Sequence, residues 1–170
     1  MGKMKQEKLI WQRLEQDMVN WLEKKYSSRL HFKNSHQAIE GFPTHGFQSD
    51  GMLSDGKTLL ALEIETGQTH PDTNVGKYWF LYHEYKRYRK IILFHIYTPT
   101  FDSYGWRKKL AEFYVERLRS EVPLEYHLKD FRKSGPYEDV LKKIKREIQK
   151  KIESEFELTN HPKYEENYGN

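Results

Sequence analysis

The chain has 170 residues, the length of one domain with one core. Charged residues make up 32% and apolar types 36%, and no run of about 18–20 apolar residues occurs, which excludes a membrane-spanning helix. Cysteine is absent, which excludes disulfides, a cysteine nucleophile and a cysteine-based zinc site, and 29 basic against 25 acidic residues leave a net charge of +4.

The first residues carry charge but no apolar run follows them, so they do not read as a secretory leader, and Gln6 stands where a myristoylation motif wants Ser or Thr. The expectation is a cytoplasmic protein that starts near its first helix. Ile10, Trp11, Leu14, Met18, Trp21 and Leu22 form a stripe of helical period, so a helix is predicted over 6–25. A polar stretch with Gly41, Pro43 and Gly46 reads as a long loop, with a short strand near His31 and Phe32. Strands are predicted over 47–53 and 58–65, joined by Asp55-Gly56, a hairpin signal because glycine tolerates positive φ. Pro71-Asp72-Thr73 opens a helix through Tyr88, with Asp72 or Thr73 as its N-cap and Val75, Tyr78, Trp79, Tyr82 and Tyr85 as its apolar stripe.

Residues 91–97, IILFHIY, read as a buried strand ended by Pro99. A third helix is predicted over 103–119 with Trp106, Leu110, Phe113, Tyr114 and Arg117 on one side, then an edge strand over 124–129. A last helix over 137–156 turns Val140, Leu141, Ile144, Ile148 and Ile152 inward. These elements predict an α/β fold with one mixed sheet. Residues 1–156 form the domain and 157–170 an acidic tail.

Chemistry concentrates around the hairpin. In the second strand Leu60, Leu62 and Ile64 share one face, and Glu63 and Glu65 share the other. The hairpin folds Asp50 back toward Glu63. One reading makes the two glutamates the wet side of a half-buried strand. The other lets three carboxylates converge at the open end of the hairpin, where a hard divalent cation, most naturally Mg²⁺, would neutralise them.

An Asp, a hydrophobic hairpin and then Glu-x-(Lys or Glu) resembles the PD-(D/E)XK nuclease superfamily, to which archaeal Holliday-junction resolvases and many restriction endonucleases belong. Asp50 matches the motif Asp, and Glu63 the first acidic residue of its second half. The step of thirteen residues from Asp50 to Glu63 is similar to that of the junction resolvases. The resemblance spans residues 7–130 in architecture and three residues in motif. Ser49 replaces the motif Pro, and Glu65 stands where most members carry Lys. Lys77, in the next helix, is a candidate source of the missing ammonium; its plain alternative is a solvated helix lysine.

The resemblance implies a restriction-endonuclease-like α/β/α sandwich around a central mixed sheet that includes the hairpin. It implies a Mg²⁺-dependent DNA endonuclease, with Mn²⁺ as a substitute metal and products ending in 5′-phosphate and 3′-hydroxyl. Asp50, Glu63 and the Ile64 carbonyl would hold the ion, and Glu15 on the first helix would complete the site, with Glu23 as a second candidate. Glu65 would position or deprotonate water or help hold a second ion, and Gln68 would orient substrate or water. Asn74, Lys77 and Tyr78 fall in the first turns of a helix whose N-terminus favours anions. Among the histidines, His70 beside the acidic strand is the one singled out.

Basic stretches recur at Lys86–Lys90 and Arg107–Lys109, and residues 132–152 hold eight Lys/Arg against three Asp/Glu. Such patches neutralise phosphates without reading sequence, or are simply solvated helix faces. The expected partners are DNA, with RNA as an alternative, and a second copy of the chain in a homodimer. The competing expectation is a domain that keeps the fold and binds nucleic acid or a protein without cleaving.

Overall fold

The computed structural model describes residues 3–39, 42, 46–67, 70–102 and 105–158. Its elements run α1 (Lys3–Tyr26), β1 (His31–Asn34), β2 (Gly51–Ser54), β3 (Thr58–Glu65), α2 (Pro71–Phe80), β4 (Lys90–Tyr97), α3 (Arg107–Glu121), β5 (Leu124–Asp130) and α4 (Tyr137–Glu155). One sheet takes the strands in chain order, β1 to β5. The first three strands pair antiparallel, and β3, β4 and β5 pair parallel. A parallel pair needs a crossover, and α2 and α3 supply the two that this order requires. The result is a mixed sheet with helices on both faces, an α/β/α sandwich.

The two faces have separate cores. Leu53, Leu60, Leu62, Ile64, Ile92, Phe94 and Ile96 pack against the stripes of α1 (Trp11, Leu14, Met18, Leu22) and α4 (Val140, Ile144, Ile148, Ile152). Met52, Leu59, Ala61, Ile91, Leu93 and Leu124 pack against Val75 and Tyr78 of α2 and Ala111, Val115 and Leu118 of α3. With both faces covered, β3 and β4 are buried along nearly their whole length. The hairpin between β2 and β3 turns at Gly56, whose φ is +86°. Asp55 Oδ1 accepts from the backbone N–H of Lys57 and Thr58, at 2.8 and 2.7 Å, and fixes the turn.

Several predicted features differ in detail. α2 ends at Phe80, where a single π turn, Leu81–Tyr85, takes over and closes on Lys86 in the left-handed region (φ 46°). Its N-cap is His70, with no capping side chain, so neither Asp72 nor Thr73 caps it. Asp72 lies within the first turn, and Arg107 of α3 donates to both its oxygens, at 3.0 and 2.9 Å. On α3 the predicted stripe faces outward: Trp106 is 74% exposed and Phe113 and Leu110 are also exposed. The buried row is Ala111, Val115 and Leu118, with the same helical spacing one position along. Small and branched side chains let α3 lie close to the sheet and to α2, where Gly76 faces the Tyr114 ring. The outward aromatics are covered by cations instead, with Lys109 Nζ 4.2 Å from the Trp106 ring centroid. The predicted tail lies outside the described residues beyond Leu158, and the predicted start of α3 at Ser103 also falls outside them.

Candidate functional site

Antiparallel pairing places the residue before β2 beside the centre of β3. The backbone N–H of Asp50 donates to the Leu62 carbonyl at 3.1 Å. The Ser49 hydroxyl donates to the Gly51 and Leu62 carbonyls, each at 3.0 Å. Asp50 Oδ2 accepts from the Ile64 N–H at 2.5 Å, which fixes its carboxylate next to Glu63. Ser49 thus pins the strand entry where the resemblance would put a proline.

Glu63 is 2% exposed and lies under α2 on the face it shares with Glu65, so neither glutamate is on a wet side of the sheet. Burying a carboxylate is costly unless it is paired and hydrogen-bonded. Lys77 supplies the pair: its Nζ is 2.8 Å from each Glu63 oxygen. The same ammonium donates to the Gln48 carbonyl at 2.5 Å and to Asn74 Oδ1 at 3.3 Å, which uses all three of its donors. The Tyr78 hydroxyl donates to Glu63 Oε1. Lys77 is therefore not a solvated helix lysine. It is 6% exposed and reaches inward from α2 to the acidic strand.

Glu65 is 1% exposed and has different partners. Its Oε1 accepts from Asn74 Nδ2 at 2.8 Å and lies 2.7 Å from His95 Nε2. His95 Nδ1 lies 2.8 Å from the Tyr126 hydroxyl, making a line from β3 through β4 to β5. The Glu65 carbonyl accepts from the Thr98 hydroxyl at 2.9 Å.

These residues form the floor and walls of an open cleft of about 560 Å³, whose lining includes Asp50, Glu63, Glu65, Asn74 and Lys77, with His70 at its exposed rim. Burial, the charge of Glu63 and the charge of Glu15 raise the Asp50 carboxyl well above its ordinary range, against the Ile64 N–H, which lowers it. Burial also raises Glu63, and the Lys77 ammonium and Tyr78 hydroxyl oppose that rise. Tyr78 is held well above the usual phenol range by burial and by Glu63. Burial and the mutual repulsion of the carboxyls thus favour the proton-bound form of this pair, and Lys77 offsets only part of that.

Glu15 stands close enough on α1 to act on Asp50 through its charge. Glu23, two turns on, is exposed. Gln68 lies outside the described residues. The three hairpin carboxylates do not gather into one ligand set. Same-face neighbours on a strand are roughly 6.6 Å apart along the chain, and Asn74 and His95 hold Glu65. Among the described residues no three carboxylate or imidazole groups stand close enough to cage an ion. Asp50 and Glu63 are two carboxylates, the number that Mg²⁺ commonly takes from a protein, with water and phosphate oxygens completing its shell. They do not fit an all-protein cage.

Sequence reasoning missed His95 and Tyr126. The available signal was a lone imidazole inside an apolar run: β4 pairs with β3 in register, so His95 lies opposite Glu63 and beside Glu65. No family model, curated protein or solved structure matches this chain.

Proposed function

We propose that the cleft hydrolyses phosphodiester bonds in DNA with the help of Mg²⁺. The observation that carries this reading is Lys77, buried on Glu63 beside Asp50, at the base of an open cleft. Lys77 supplies from α2 the ammonium that Glu65 displaces from its usual strand position in the resemblance. Asp50 and Glu63 would hold the ion, with the Ile64 carbonyl as a further donor and water completing its shell, and Glu15 would act on Asp50 through its charge alone. A bound Mg²⁺ lowers the pKa of water and polarises a phosphoryl oxygen. Lys77 keeps one positive charge fixed at the acidic strand and orients the Glu63 carboxylate. Tyr78 holds the other side of that carboxylate. Asn74 and His95 hold Glu65 as a positioned carboxylate behind it.

A second reading has its own support. Protein donors already engage Glu63 and Glu65, as expected of a domain that keeps the fold and binds nucleic acid or a partner without cleavage. Plasmid, branched and single-stranded DNA and an RNA strand, incubated with Mg²⁺ or Mn²⁺, separate the two. The nuclease reading expects metal-dependent cleavage that Asp50→Ala reduces to background. Intact binding with no wild-type cleavage selects the second reading, and full activity in Asp50→Ala removes Asp50 from the site.

A further inference from the structure

An exposed aromatic surface adjoins the cleft. Phe47, which lines the cleft, is 42% exposed, Phe80 is 48% and Tyr85 is 40%. Phe42 ties them together. It stacks on Phe80 at 6.1 Å between centroids with planes 8° apart, and meets Phe47 and Tyr85 edge-on at 5.3 and 5.1 Å. Apolar rings left this open to water in a folded domain call for an occupant.

The π turn assembles this surface. Residues five apart on an α-helix lie well round from one another, but a π turn links positions five apart. Across Leu81–Tyr85 it brings Tyr85 back over Phe80, with ring centroids 6.2 Å apart. The chain then leaves the turn through exposed Lys86, Arg87 and Arg89, while buried Tyr88 anchors the segment. Aromatic faces beside a run of cations match a strand that offers both flat bases and phosphates.

We infer that Phe47, Phe80 and Tyr85 form a platform that stacks the unpaired bases of a single-stranded nucleic acid and leads that strand into the cleft. The inference rests on the nucleic-acid reading of the site and narrows it to substrates with an unpaired segment. Duplex DNA keeps its base faces stacked inside the helix and offers the platform nothing. Phe47 precedes Gln48, whose carbonyl accepts from Lys77, so the platform begins one residue from the acidic site.

The test is binding of the full chain in EDTA, measured by fluorescence anisotropy. The probes are a labelled oligothymidylate of about twelve nucleotides, its abasic counterpart with the same phosphates, and a duplex of the same length. Wild type is expected to bind the oligothymidylate about tenfold more tightly than the abasic strand or the duplex. Phe80→Ala with Tyr85→Ala should remove that advantage and leave abasic binding as it was, and Tyr85→Trp should keep it. Equal wild-type affinity for base-bearing and abasic strands overturns the proposal and points to a protein partner. So does a variant that weakens both strands alike. The wild-type comparison needs no substitution to fold. Because the readout is binding without metal, failure of cleavage in Mg²⁺ does not decide it.

Discussion

Asp50 and Glu63 are adjacent carboxylates with unequal provision. Glu63 has an ammonium and a phenol hydroxyl, and Asp50 has one backbone N–H. Burial and neighbouring charge raise Asp50, so the folded state binds its proton more tightly than the unfolded chain does. The stability this lends is complete below the ordinary carboxylate range and is lost as pH rises through the raised value. The metal-free protein is therefore expected to lose stability at Asp50 as pH rises above the ordinary carboxylate range. Asp50→Asn keeps an acceptor for the Ile64 N–H and removes the charge. At pH 8 in EDTA it should raise stability by about 1 kcal/mol, a shift of roughly 2–4 °C in Tm. Calorimetry across pH checks this: the variant's advantage should vanish toward acidic pH, and a loss of stability at pH 8 would show that Asp50 is not under electrostatic strain.

Between elements, the half-buried charges are more evenly matched. Lys90 of β4, Glu125 of β5 and Lys151 and Glu155 of α4 form a chain of ion pairs, 3.0 Å from Lys90 to Glu125 and 2.6 Å from Lys151 to Glu125. Hydrogen bonds from Lys151 and Lys90 outweigh a burial cost and lower the Glu125 carboxyl to about 2. Its stabilisation is present above the ordinary carboxylate range and lost as pH falls through that lowered value. Glu125→Gln should cost about 1 kcal/mol or less at pH 7 in low salt. In urea titrations the difference should close as pH drops toward 2 and shrink with added salt.

The sequence made β3, β4 and α4 readable because their apolar periods are unbroken and each has one evident buried face. It made α3 misleading, since its largest apolar residues lie outward and small Ala111 gave little signal. It hid the π turn altogether, because the aromatic period of α2 continues through it. The placement of Asp50 beside Glu63 was legible from spacing on the hairpin. The burial of Lys77 and the place of His95 were not, since both depend on how α2 and β4 lie against β3.

Across the whole molecule, Lys77 joins pieces distant in the chain: the acidic strand, α2 and the segment before β2. Lys77→Met would leave Glu63 buried without its counter-charge and should cost about 3–5 kcal/mol. Lys77→Met with Glu63→Gln should recover much of that loss in chemical denaturation. The Gln48 contact carries a separate consequence, for motion. The ammonium that neutralises Glu63 also fastens the backbone beside Phe47, so the segment's opening rate is tied to the charge at the strand. In the double variant, where the charge is balanced but the tether is cut, amides 46–49 should exchange with solvent faster than in wild type while those of β4 keep their protection. The wall of the cleft and its chemistry would then share one restraint, and neither could be retuned by mutation without loosening the other.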